Sequence, residues 1–252
     1  MKEHQPLGLK VPIIYVNPPF HTGAGLIEAV YRSGGLGIVD HFAASKTDSP
    51  VTPNVPHGVR ISLDQLAHLS AEKNVALALI PLEDADKLAS MGEHGLKDSP
   101  VPVFVEVGSP DQASAADRAG AAGLIARGSE GPGWVSETNG FVLLQEVLSV
   151  TSLPVFLRGG IGLHTAPGAV AAGAAGVVFD NQLLLTRNSQ LDEGLKKFLA
   201  SLSSPATVTL SENSKRPCRV YSRIGTRMVR ELHKLEKTLT GEQFAGYEDK
   251  IN

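Results

Sequence analysis

Residues Arg158 to Leu185 read RGGIGLHTAPGAVAAGAAGVVFDNQLLL, and their types suggest phosphate chemistry. Gly159, Gly160 and Gly162 follow an apolar run and precede a helix-like one. Glycines there let backbone N–H groups approach an anion, and the following helix would aim its N-terminus at the same point. The alternative is a tight turn that needs glycine for its dihedral angles alone. The next apolar run ends in Asp180 and Asn181. Asn181 can donate to a phosphate; an ionised Asp180 cannot. Like unit charges about 4 Å apart repel by about 4 kcal/mol at an effective dielectric of ~20. The expectation is therefore that Asp180 faces the cradle and opposes a phosphate. In the other arrangement it turns to Arg158, Arg127 or a cation and leaves its own N–H for the anion.

Other charged residues stand at the ends of apolar runs. Arg60 in HGVRIS and Arg127 in LIAR have Glu106 and Glu130 as candidate partners. Either the arginines form a remodelled anion site, for a phosphopantetheine thioester or a carboxylate, or they pair internally with the two glutamates. His21, His41 and His57 fall near strand ends, but no pair has metal-ligand spacing, so no metal site is assigned. His164 is expected to cap the helix after the glycines, and GSPDQ at 108–112 reads as a loop and helix cap.

The elements that must position these groups alternate. Apolar, β-branched runs lie at 11–16, 36–42, 57–62, 75–80, 101–107, 124–127, 154–158 and 177–180, with helix-like patterns between them. Continuous apolar strands imply burial on both faces and hence a parallel sheet. Strict βα alternation allows a doubly wound sheet or a barrel. A count of eight, and the near-repeats DRAGAAGLIA and AAGAAGVVF, favour an α/β fold of the TIM (β/α)8 barrel type. Residues 1–205 read as the barrel. Residues 206–252 read as a strap or linker with an amphipathic helix over about 226–239, capped by Thr226 and carrying Met228, Leu232, Leu235 and Leu239.

Composition excludes several classes. A net charge of −3 gives no bulk attraction to nucleic acid or to an anionic membrane, so neither partner is expected. Cys218 is the one cysteine, so no internal disulfide forms. No run reaches membrane-spanning length and no signal core opens the chain, so a cytoplasmic location is expected.

The order VPIIYVNPPFHTGAGLIEAVYRSGGLGIVD, HGVRIS, then VPVFVEVGSPDQ through LRGGIGLHTA to VVFDNQLLL, resembles the nitronate monooxygenase (2-nitropropane dioxygenase-like) barrels. The variant motifs are most similar to copies embedded in bacterial type I polyketide and polyunsaturated fatty-acid synthases. The resemblance implies an FMN-type oxidoreductase, with FMN near Asn17, Gly159, Gly160, Gly162, Asp180 and Asn181. It implies hydride transfer to an enoyl or ketoacyl thioester, with other synthase modules or an acyl carrier protein as partners. Against that pattern, Trp134 stands where the family has its catalytic histidine, Arg127 where a glutamine is usual, and Arg60 where an asparagine is usual. Glu130, Arg127 and Trp134 are left as the candidate catalytic residues of a degenerate site, with Trp134 expected to roof the mouth. Two alternatives stay open: a structural or docking barrel that has lost FMN, and a phosphate-binding lyase or isomerase with a carboxylate base.

Overall fold

The computed structural model describes residues 6–18, 24–40, 54–69, 74–92, 95–202, 206–210, 217–221 and 227–238. Eight parallel strands close into a barrel: β1 (Ile13–Val16), β2 (Leu36–Asp40), β3 (His57–Arg60), β4 (Val75–Ile80), β5 (Val103–Val107), β6 (Gly123–Arg127), β8 (Val155–Arg158) and β9 (Gly176–Phe179). Closure is made by β1 against β9, with Ile14 opposite Val178. All eight expected strands are present.

Between them run α1 (Gly25–Arg32), α2 (Leu63–Leu66), α3 (Pro110–Ala119), α4 (Gly140–Leu148) and α5 (Thr165–Ala171). The cause of each boundary is local. Ser109 accepts the Gln112 N–H and Pro110 opens α3, while Gly120 ends it in the left-handed conformation at φ 90°. Ala113, Ala115, Ala116 and Ala119 are buried, so α3 seats closely on the sheet. Helix α4 starts at Gly140, because Asn139 caps it by accepting the Val142 N–H. Residues 82–90 form a 3-10 helix, and α2 stops after one turn.

A second, three-stranded sheet joins β7 (Gly133–Trp134) to β10 (Thr207–Leu210) and β11 (Cys218–Tyr221), in the order β10-β11-β7. Cys218 pairs with Trp134 and Arg219 with Gly133, so this part of the strap is tied to the loop after β6. After β9 come a 3-10 helix (Asn181–Leu185) and α6 (Glu193–Ala200). Last is α7 (Arg227–Glu236), with Val229 and Glu236 buried. Leu232 and Leu235 are half-buried; Thr226, Leu239 and the Met228 side chain lie outside the described residues. Among the described residues, no helix is long and apolar enough to cross a membrane.

Candidate ligand site at the barrel mouth

Side chains alternate along a strand, so every second residue points into the barrel. Ile38, Phe104, Ile125, Phe156 and Val178 belong to one buried apolar cluster. Two residues further along each of those chains stand Asp40, Glu106, Arg127, Arg158 and Asp180, and Arg60 stands likewise at the end of β3. The interior is therefore apolar below and charged at the mouth.

Glu106 is the centre of that charged layer and is 0% exposed. Its Oε2 accepts from Arg127 Nη1 at 2.7 Å, from the Leu82 N–H at 3.2 Å and from Arg60 Nη2 at 3.5 Å, and its Oε1 accepts from Arg158. Arg60 also reaches Asp40 at 3.1 Å and Glu83 at 3.0 Å. Burial alone would push the Glu106 carboxyl up. The charges of Arg127, Arg158 and Arg60, with the Leu82 N–H, outweigh it and hold the group far below the ordinary range. For Arg158, burial opposes the charge, but Asp180 and Glu106 overcome it and raise its pKa. Arg127 is lowered: burial dominates over Glu106, and its Nε is buried without a hydrogen-bond partner among the described residues.

Of the two readings of the arginines, internal pairing is the one present for Glu106. It fails for Glu130, whose Oε2 accepts the Gly140 N–H at 3.0 Å and so sits at the start of α4. Asp180 corrects the expectation more sharply. It does not confront the glycine loop but is bonded to Arg158, with Nε to Oδ1 at 2.7 Å. Nor is its N–H left for an anion, because Gln182 Oε1 accepts it at 2.7 Å. Gln182 Nε2 then donates to the Ile161 carbonyl at 3.1 Å, linking the two loops that would form the cradle.

Gly159 and Gly160 have φ of 110° and 63°, so the turn itself requires glycine. The Gly162 N–H donates to Thr165 Oγ1 at 2.7 Å. His164 makes no side-chain cap; Thr165 does the local bonding instead. Asn17, buried after β1, accepts from the Tyr15 hydroxyl at 2.8 Å, and Asn181 begins the 3-10 helix beyond Asp180. His57 opens β3, at the end of the barrel away from the mouth, and its Nδ1 faces the Val55 carbonyl at 2.9 Å. His21 and His41 lie outside the described residues. Among the described residues, no cluster of His, Cys, Asp or Glu could hold a metal ion.

Sequence reasoning missed Asp40, Glu83 and Gln182. The parity of the strand ends could have found Asp40, which follows Ile38 as Glu106 follows Phe104. Trp134 is 8% exposed and borders a cleft of about 330 Å³ between the loops after β4, β5 and β6.

Comparison with known proteins agrees with this architecture. A family model described as nitronate monooxygenase matches residues 84–246. The (3aS,4S,5R,7aS)-5-hydroxy-7a-methyl-1-oxo-octahydro-1H-indene-4-carboxyl-CoA dehydrogenase of Mycobacterium tuberculosis is 28% identical over 244 residues, 90% of this chain. The chain spans 66% of that relative's length and 60% of its Rhodococcus jostii counterpart's. FabK from Thermotoga maritima superposes with a TM-score of 0.74 at 27% identity, over 91% of this chain and 76% of that one. The enoyl reductase domain of MlnA from the Bacillus amyloliquefaciens macrolactin biosynthesis cluster shares the fold, with a TM-score of 0.66 at 14% identity over 92% of this chain and 67% of that one. Barrels of this family commonly hold FMN at the core. With well over half its residues matched by that model, and the closed parallel barrel to go with it, the chain belongs to the nitronate monooxygenase family.

Proposed function

We propose that this barrel is a module of a polyketide or fatty-acid synthase that keeps the family's oxidoreductase fold but has a degenerate flavin site. The observation that carries the reading is the buried charged layer around Glu106. A flavin at the barrel core needs space above the apolar layer and free donors for its phosphate. Here that level holds Arg60, Arg127, Arg158 and Glu106, all buried. The Gly162 and Asp180 N–H groups already have acceptors in Thr165 and Gln182. Separating one buried ion pair costs about 3–5 kcal/mol, which a ring entering this layer would have to offset. The residues present do not fit FMN, and no hydride step is assigned to them. Trp134 adds to this, because an indole donates a hydrogen bond but does not accept a proton.

Two likenesses support the synthase setting: the fold shared with an enoyl reductase domain of a macrolactin cluster, and relatives named as carboxyl-CoA dehydrogenases. Partners in that setting are neighbouring modules or an acyl carrier protein, in the cytoplasm. The test is the absorption of the purified chain in the near ultraviolet and blue, followed by titration with FMN. A colourless protein with a dissociation constant above about 10 μM is expected. A yellow protein with stoichiometric flavin, or robust turnover of alkyl nitronates, overturns the reading.

A further inference from the structure

The outer face of α4 and α5 is built unlike its neighbours. α4 buries Gly140, Leu143, Leu144 and Val147 against the barrel, which leaves Phe141 and Val142 exposed. α5 buries Ala169 and leaves Val170 exposed. Leu163, in the loop that leads into α5, is 90% exposed. The two helices make one continuous surface. Gln145 Nε2 donates to the Ala172 carbonyl at 3.0 Å, and a β-carbon on Gly168 would meet the Phe141 ring at 3.7 Å.

Charge is missing from the same surface. Among the described residues, α5 is the one α-helix with no Asp, Glu, Lys or Arg. From Asn139 to Gly176 the charged residues are Glu146 and Arg158, and Arg158 is buried in the mouth layer. Glu146 stands about 140° round α4 from Phe141, on the side away from α5. On α3, by contrast, Asp111 and Arg118 are both exposed.

Exposed apolar residues gathered on one face mark a contact surface, where scattered ones do not. Charge then selects the occupant. A partner presenting carboxylates or ammonium groups would bury them against apolar side chains with nothing to pair them. In a twofold contact the same patch meets itself, so a charge within it would face its own like. This face carries none on the side where the two helices meet, and a second copy brings the same apolar chemistry to it. Two helices abreast are about 20 Å wide and α4 is about 13 Å long. With the Leu163 loop, that is roughly 400–500 Å² per copy, or about 800–1,000 Å² in all, the size of a transient interface.

We propose that the α4–α5 face is a self-association surface, through which two copies of this chain form a weak twofold dimer. Phe141, Val142, Leu163 and Val170 of each copy are buried in the contact. Because no ion pair holds it, salt leaves it intact.

The test is sedimentation velocity of the full chain from about 10 to about 500 μM, where a monomer–dimer equilibrium with a dissociation constant of about 100 μM is expected. Raising sodium chloride from about 0.05 to about 1 M should not weaken it. Leu163→Asp and Val142→Lys each set like charges together in the contact and should weaken dimerisation at least about tenfold. Both side chains are exposed, so both variants should melt with the wild type. Phe198→Asp changes an exposed apolar residue on α6, off this face, and should dimerise as the wild type does. A chain that is monomeric at about 500 μM overturns the proposal, as does a dimer lost in high salt. So does a dimer that Leu163→Asp and Val142→Lys leave intact, or that Phe198→Asp weakens as much as they do.

Discussion

Two layers of the same barrel interior are built on opposite principles. In the lower layer Ile38, Leu79, Phe104, Ile125, Phe156 and Val178 pack without direction; the Phe104 and Phe156 rings lie 5.9 Å apart. In the upper layer Asp40, Arg60, Glu106, Arg127, Arg158 and Asp180 hold one another by charge. The lower layer tolerates change in proportion to the volume lost. The upper layer is mutual, because each group is buried only on condition that its partners are present.

The largest expected effect tests that difference directly. Glu106→Gln leaves Arg60, Arg127 and Arg158 with less negative charge at the centre of the layer and should cost about 3–5 kcal/mol. Phe104→Leu, one interior step below, should cost about 1–1.5 kcal/mol. Urea unfolding of both variants checks the ratio. Equal losses would mean that the charged layer behaves as ordinary packing.

A double-mutant cycle sharpens the point. Arg158→Met and Asp180→Leu should each destabilise by about 3 kcal/mol. Together they should cost much less than the sum, with a coupling of about 2 kcal/mol or more. Additive losses would show that the pair contributes no more than its separate contacts.

Acid should separate the layers next. Glu106 in the folded chain is held below its ordinary value of 4.5 because the arginine charges outweigh burial. The unfolded chain takes up that proton first, so the stabilisation is present above about pH 4.5 and is lost as the pH falls below it. Urea midpoints measured from pH 7 to pH 3 should fall in the wild type and in Phe104→Leu with the same slope. They should fall less steeply in Glu106→Gln. Parallel curves for all three would remove Glu106 from the account of acid lability.

The strands were legible because burial on both faces leaves an unbroken apolar signature, as in VALALI and VFVEV. The charged layer was half legible. Each of its members stands at a strand end, but which charge meets which is set by barrel closure, not by neighbours in sequence. Asp180 shows the limit: its side chain meets Arg158, from the strand next to it, and a local reading of VVFDNQ cannot tell that from a carboxylate facing the glycine loop. The strand at Cys218–Tyr221 was hidden for a different reason. Its partner, Gly133–Trp134, is two residues long and lies in a glycine-rich loop, so neither strand has a periodicity that announces the other.

The smallest expected effect concerns how that strap bears on the mouth. Arg219 Nε donates to the Ser129 carbonyl at 2.7 Å and Nη1 to Thr207 Oγ1 at 3.1 Å. The Val135 N–H donates to the Pro217 carbonyl at 2.9 Å. The loop so fastened lies against the charged layer, since Arg127 donates to the Pro132 carbonyl. The loop is also closed on itself by the Ser129 N–H to the Thr138 carbonyl at 3.0 Å, and is tied to β8 by the Gly128 N–H to the Arg158 carbonyl at 2.9 Å. Arg219→Ala therefore removes one of several ties, at a partly exposed position, and should cost about 1 kcal/mol. Trp134 fluorescence should shift only slightly, because its pairing with Cys218 is unchanged. A loss as large as that of Glu106→Gln would reverse the order argued here: the strap, not the mutual charges, would then be what keeps the upper layer assembled.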